Sequence, residues 1–216
     1  PEAVGIIGGL SGLGAVWCFA ANSTILPCLG PIKTLAFGCL LASFALMCFA
    51  LELGWIGFVA ALLVGFGYAV SAPAGSMILA SNTPKIFWGT LFSLRMAGVP
   101  AGGAFAGIVA ATIVGTYDWR LSLLVLLFPC ISGLVFLRLA RNKIQLPAKV
   151  GSFSFLSVFN PRLFLTPFLV LARVPSLSTI TFVSIGFAAV QGSLFTFFTT
   201  YLTDSLGFSL AVAGML

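Results

Sequence analysis

A single arginine stands inside an apolar stretch, where its charge could bind an anion. Arg95 lies about two turns into the run that begins near Phe87. A cation at the centre of a membrane helix costs about 2.5–3.5 kcal/mol on insertion scales, so it commonly faces a cavity, a partner charge or a ligand. No acid of the chain has a similar depth, so its partner would be an anionic substrate or a group outside this chain. Snorkelling to the interface about 12 Å away is the alternative, and both stay open.

One serine has the setting of a nucleophile. The run Gly9-Leu10-Ser11-Gly12 matches the GxSG pattern of intramembrane serine proteases. That chemistry needs a base beside the serine, which in those proteases is histidine, and the 216 residues contain none. We therefore interpret the run as a face of small residues that lets a neighbouring helix approach closely. No catalytic residue and no enzymatic activity are predicted.

The cysteines do not have the spacing of a metal site. No two of the five form a CxxC pair, and each lies in an apolar run, where a free thiol behaves as a small hydrophobe. We predict no metal, no cofactor and no disulfide framework. The five are Cys18, Cys28, Cys39, Cys48 and Cys130.

Other polar side chains are sparse within the apolar runs. In lipid such groups must be hydrogen-bonded or wet. Each could line a solute pocket or join two helices, and the sequence does not choose between these roles. They are Asn22, Ser23, Tyr68, Ser71, Gln191 and Thr196.

The composition shows which solvent surrounds these residues. Hydrophobic residues make up 60% of the chain and charged residues 6%, against about 25% charged in soluble domains. Lipid must therefore surround most of the chain. A spanning helix needs about 20 apolar residues. Six runs qualify, at 4–27, 34–51, 55–79, 87–114, 121–139 and 178–202, and a seventh begins near Phe208.

The basic residues orient these spans. With the first span starting outside, eight of the ten Lys and Arg residues fall in inner connections and all four acids fall outside. This predicts a multi-pass protein of the plasma or inner membrane with a cytoplasmic linker at 141–177. The net charge of +6 forms no basic stripe, so no nucleic-acid partner is predicted.

One apolar segment does not qualify as a span. Residues 152–172 include Asn160, Pro161, Arg162 and Pro167, and a crossing there would reverse the charge bias downstream. We predict a helix lying in the inner interface, with a deeper dip into the membrane as the alternative.

The fourth span is rich in residues that allow close packing and bending. Gly98 with Gly102, and Gly103 with Gly107, form two GxxxG pairs, which let partner backbones pack closely or slide. Pro100 removes one helical hydrogen bond and favours a kink. A static bundle or a channel could also use such a helix.

Residues 64–125 resemble the major facilitator superfamily. The GxGxxxxxP-like stretch, a short loop, the run SLRMAGVPAGG and then Asp118-Trp119-Arg120 are similar to the family's fourth and fifth helices and the entry to the sixth. The last span and the run after it resemble the seventh helix and the start of the eighth. The resemblance thus extends from the family's second helix to the start of its eighth.

The sequence departs from the family at its gate. Pro27 and Cys28 stand where an acid and an arginine belong, and Ala61 replaces an arginine common early in the fourth helix. The antiporter glycine pattern is only partly met. Neither the gate charges nor antiport is therefore carried over.

The resemblance implies an all-α polytopic bundle with part of the superfamily fold. Residues 1–140 would form the N-terminal bundle without the family's first helix, 141–177 the linker, and 178–216 the start of the second bundle. The family's first, fourth and seventh helices line a central cavity between two rocking bundles. Tyr68, Ser71, Gln191 and Thr196 would then line it, and Arg95 would flank it. The remainder of the transporter is an expected partner, and this chain is not expected to transport by itself.

The function predicted is that of a fragment of a secondary active transporter, which moves a small solute across the bilayer by alternating access. Arg95 favours a small organic anion. A channel is one alternative, although the sequence has no filter loop and no ring of charge. A membrane scaffold or receptor-like protein that does not transport is another.

Overall fold

The computed structural model describes residues 2–52, 54–114, 117–142, 144, 169–209 and 212–213. Within these ranges the chain is helical and contains no strand. Its α-helices include α1 (Glu2–Leu29), α2 (Pro31–Ala50), α3 (Ile56–Asn82), α4 (Trp88–Val114), α5 (Trp119–Val125), α6 (Leu127–Ala140) and α7 (Pro175–Asp204). A short 3₁₀ turn, Lys85–Phe87, precedes α4.

Six helical segments in the part of the chain that is described could span a membrane. Their helices are long and apolar enough for this, and α5 and α6 together make one span. The predicted all-α bundle of six spans is thus confirmed. The predicted interfacial helix at 152–172 and the seventh span after Phe208 fall largely outside the described residues.

Prolines explain where the observed helices differ from the predicted runs. Pro129 has no N–H to offer the carbonyl of Val125, and α5 ends at that residue. Pro175 and Pro31 stand at the first positions of α7 and α2, where the missing N–H costs nothing. Both helices therefore begin three residues earlier than predicted. Gly30, with φ 77°, makes the tight turn from α1 to α2.

The alternating helix directions give the bundle two ends of unlike charge. We call the end with Lys33, Lys85, Arg138 and Arg141 the basic end, and the end with Glu52, Asp118 and Asp204 the acidic end.

An ion pair joins two connections at the acidic end. Arg120 Nη2 lies 2.6 Å from Glu52 Oε2, and Arg120 Nε lies 3.8 Å from Asp118 Oδ2. The pair links the α2–α3 connection to the start of α5, so these two connections lie at the same end of the bundle.

We expect this ion pair to contribute little to stability. Both side chains are about half exposed, and exposed pairs contribute roughly 0–1 kcal/mol. Glu52→Gln should therefore lower the free energy of unfolding by less than about 1 kcal/mol, and more at low salt than at high salt. A double-mutant cycle with Arg120→Gln isolates the energy of the pair in thermal unfolding measurements. A loss of stability that does not decrease as salt is raised would contradict a stabilising charge attraction between the two side chains.

Helix α3 is packed between α1 and α2 through glycine and alanine. A Cβ placed on Gly65 would overlap the carbonyl oxygen of Ser11. A Cβ on Gly38 would lie 2.8 Å from the carbonyl oxygen of Gly67. Ala60 and Ala69 of α3 are fully buried. Because lipid gives helices no hydrophobic reason to associate, such backbone approach and its dispersion contacts hold the three together.

Two glycine-rich helix faces were predicted to pack closely, the GxSG run of α1 and the glycines of α4, and their described contacts differ. In the GxSG run the close approach occurs at Ser11, while a Cβ added to Gly9 or Gly12 would meet no described atom within 4 Å. On α4, a Cβ added to Gly98, Gly102 or Gly103 would likewise meet no described neighbour within 4 Å. Packing or sliding at the α4 glycines, Pro100 and Gly107 therefore stays a prediction.

Candidate solute-binding site between α1, α3 and α4

A proline within α3 creates the first feature of the site. Pro73 lacks an N–H, so the carbonyl of Ala69, four residues earlier, loses its helical donor. Asn22 of α1 replaces it, since its Nδ2 donates to the Ala69 oxygen at 3.2 Å. The amide of Asn22 therefore joins α1 to α3 next to the proline.

The same amide carries a buried acceptor. Asn22 is 5% exposed, and its Oδ1 has no hydrogen-bond partner among the described residues. Leaving such an oxygen unsatisfied costs about 1–3 kcal/mol. The hydrogen bond from its Nδ2 to Ala69 is thus made while its oxygen stays buried without a described donor.

Arg95 of α4 reaches across to α3 beyond the proline. Its Nη2 donates to the Ala72 carbonyl at 2.6 Å and its Nη1 to Ser76 Oγ at 3.2 Å. Gly75 leaves room for the guanidinium, because a Cβ there would lie 2.8 Å from Arg95 Nε. The glycine and the two acceptors together place the cation beside α3.

No described carboxylate balances this charge. Both ion pairs found in the described residues involve Arg120 at the acidic end. Ala72 lies ten residues before the end of α3 at Asn82, or about 15 Å from the basic end by helix rise. The guanidinium is therefore held within the span by neutral dipoles alone.

The three helices border a cavity at this point that is widely open on one side. Its volume is about 560 Å³, within the range of roughly 300–1,000 Å³ usual for small-molecule sites. Apolar and aromatic side chains make most of the wall, and Arg95 and Asn22 are its strongest polar groups. The lining residues are Phe19, Asn22, Ser23, Leu26, Ala72, Pro73, Ser76, Arg95 and Met96.

Comparison with known protein families identifies the family of this chain. The family model of the Major Facilitator Superfamily matches residues 1–216. The chain belongs to the Major Facilitator Superfamily. It is therefore a multi-pass membrane transporter, and the members of this superfamily are transporters rather than enzymes. The resemblance found in residues 64–125 is confirmed over the whole chain. No curated protein and no solved structure matched the chain.

Of the lining residues predicted for this superfamily member, Tyr68 lies nearest the cavity. Its ring packs edge to face on Phe19, with the ring centroids 6.3 Å apart and an angle of 89°. Phe19 in turn lines the cavity that contains Arg95. Tyr68 is 49% exposed, so its hydroxyl can meet a solute that approaches the cavity.

The structure does not bring Ser71 and Gln191 to the same place. The Cβ of Ser71 lies 3.5 Å from the methyl position of Gly38, at the contact between α2 and α3. Its hydroxyl donates to the Tyr68 carbonyl at 2.8 Å. Gln191 is exposed on α7, which contributes no lining residue to the cavity. The side chain of Thr196 lies outside what the structure describes.

Two groups of this transporter site were not predicted from the sequence. The sequence does not predict Gly75 and Ser76 as lining residues. For Asn22 it does not choose between lining a solute pocket and joining two helices. One signal was present: Pro73 frees the Ala69 carbonyl, so a polar side chain on a neighbouring helix was needed to satisfy it. The sequence could not show that this side chain comes from α1.

Proposed function

We propose that the protein is a secondary active transporter that moves a small organic anion by alternating access, with Arg95 as the cationic group of its site. The observation that supports this most directly is a guanidinium without a described acidic partner in a cavity of about 560 Å³. An arginine in such a setting binds carboxylate or phosphate through charge-assisted hydrogen bonds.

The chemistry of the wall restricts the solute further. A carboxylate would accept from the N–H groups of Arg95 that α3 leaves unused, while Phe19, Leu26 and Met96 would contact an apolar portion. We infer a compact anion that also carries an apolar portion.

The proposed organisation of the chain follows the superfamily. Residues 1–140 form the N-terminal bundle, 141–177 a cytoplasmic linker and 178–216 the start of the second bundle, in a plasma or inner membrane. The position of eight of ten basic residues on one side supports this orientation. Ser71, Gln191 and Thr196 remain proposed lining residues of the central cavity, beside Tyr68.

The test measures transport by the full-length gene product in proteoliposomes. Small organic anions, cations and neutral solutes of matched size are compared, with an ion gradient or with unlabelled solute inside. We expect saturable uptake of anions that either an ion gradient or internal anion accelerates. Uptake of only cations or neutral solutes would contradict the proposal, unsaturable flux would indicate a channel, and absence of any flux would indicate a scaffold.

Alternating access can be tested separately by thiol labelling at position 68. A cysteine at this position, in a background without the five native cysteines, should react with impermeant thiol reagents from each side in turn. Addition of transported anion should change the ratio of the two rates. Labelling from one side only, in all conditions, would contradict alternating access at this cavity.

A further inference from the structure

A second concave site lies outside the proposed solute path, between α2 and α6. This groove has a volume of about 510 Å³ and begins at the basic end of the bundle. Its apolar wall includes Leu40, Ile131 and Val135, which are 52–55% exposed. No described residue covers these three side chains fully, so the groove is open along this side.

Three cations line the mouth of this groove. Lys33 is in the first turn of α2, Arg138 is in the last turn of α6, and Arg141 follows it. All three are exposed. Arg138 and Arg141 suit a helix C-terminus, where the dipole is negative, but Lys33 stands at a positive helix N-terminus. The position of Lys33 is therefore unfavourable unless an anion lies close by.

The described residues supply no such anion at this end. Among the described residues, no carboxylate lies within 4 Å of the three cations. The acids of the chain are Glu2, Glu52, Asp118 and Asp204. Each lies at a helix terminus or in a connection at the acidic end of the bundle, opposite the groove mouth. The cations of the groove are thus complementary to an external negative charge.

We propose that the α2–α6 groove binds an anionic phospholipid. Its phosphate lies among Lys33, Arg138 and Arg141, and one acyl chain follows the apolar wall toward Leu40. The distance from Lys33 to Leu40 is about 10 Å by helix rise, enough for the upper part of an acyl chain. Free phosphate would leave the apolar wall unused, whereas a lipid matches both halves of the groove. Basic pockets between membrane helices commonly bind lipid head groups in this way.

The test counts lipids retained by the full-length gene product. The protein is released from nanodiscs that contain phosphatidylcholine and phosphatidylglycerol, and native mass spectrometry measures bound phosphatidylglycerol. A cation beside the phosphate of an anionic lipid strengthens its binding by about fivefold. Changing Lys33, Arg138 and Arg141 to Gln together should therefore weaken retention by about a hundredfold. The matched control, Lys85→Gln, removes a cation of the same end that does not line the groove, and it should change retention by less than about twofold.

A second variant leaves every charge in place. Ala36→Phe fills the groove floor and should also weaken retention of phosphatidylglycerol. The proposal is overturned if Lys85→Gln weakens retention as much as Arg138→Gln, because the effect would then be general surface charge. It is equally overturned if Ala36→Phe retains the lipid as the wild type does, or if inorganic phosphate alone displaces it.

Discussion

Replacing Gly65 with alanine should destabilise the bundle more than the same methyl added at Gly38 or Gly103. The added Cβ would overlap the carbonyl oxygen of Ser11 and lie 2.8 Å from the backbone N of Ala15. Both atoms belong to the α1 backbone, which cannot rotate out of the way as a side chain can. Helix α1 would have to withdraw from α3, and overpacking of this kind costs about 3 kcal/mol. Thermal unfolding in detergent, followed by helical circular dichroism, measures the loss.

Matched glycines give the controls for this effect. Gly103→Ala on α4 adds the same methyl where no described atom lies within 4 Å, so it should be neutral or gain up to about 1 kcal/mol from helix propensity. Gly38→Ala should fall between the two, since its Cβ would lie 2.8 Å from the Gly67 oxygen. If Gly65→Ala unfolds at the same temperature as Gly103→Ala, the close contact of α1 with α3 is wrong.

Replacing Arg95 with glutamine should abolish most transport of the proposed anion without preventing insertion. Hydrogen bonds to charged groups contribute about 1.5–3 kcal/mol, so the specific uptake rate at low solute concentration should fall roughly 10- to 100-fold. Glutamine ends two bonds short of the position of Nη2, so the hydrogen bond to the Ala72 carbonyl is lost together with the charge. The readout is initial uptake into proteoliposomes per inserted protein.

Two further variants separate charge from position. Arg95→Lys keeps the charge but loses the fork of donors that reaches Ala72 and Ser76 together, so we expect intermediate uptake. Gly75→Ala keeps the arginine but places a methyl 2.8 Å from its Nε, which displaces the guanidinium and should also lower uptake. Lys85→Gln, a cation outside the cavity, should leave uptake unchanged. Unaltered kinetics in Arg95→Gln would remove Arg95 from the site.

The helices of this transporter could be predicted because lipid restricts the backbone conformations that a crossing segment can adopt. In a bilayer a crossing segment must satisfy its own backbone hydrogen bonds, so an apolar run of sufficient length becomes a helix whatever its neighbours are. This is why six spans and the superfamily followed from residues alone. The sequence does not predict the interruption between α5 and α6 at Leu126, because Pro129 lies within a run that is equally apolar on both sides.

Contacts between helices could not be predicted in the same way. Helical periodicity shows that Tyr68 and Ser71 are neighbours on α3, but the structure turns Ser71 toward Gly38 of α2 and Tyr68 toward Phe19 of α1. The sequence left Arg95 open between snorkelling and a cavity. The structure places its guanidinium on Ala72 and Ser76, because Gly75 leaves space there.

The sequence by itself determined the solvent, the number of spans and the family of this protein, since these depend on composition and on order along the chain. The tertiary structure determined which side chains come together in the site. Asn22 meets Ala69, and Arg95 meets Ala72, only after three separate helices have packed. That packing depends on which glycines face each other across a contact, as Gly38 and Gly67 do. Such pairing is a property of two helices together, so no single run of residues contains it.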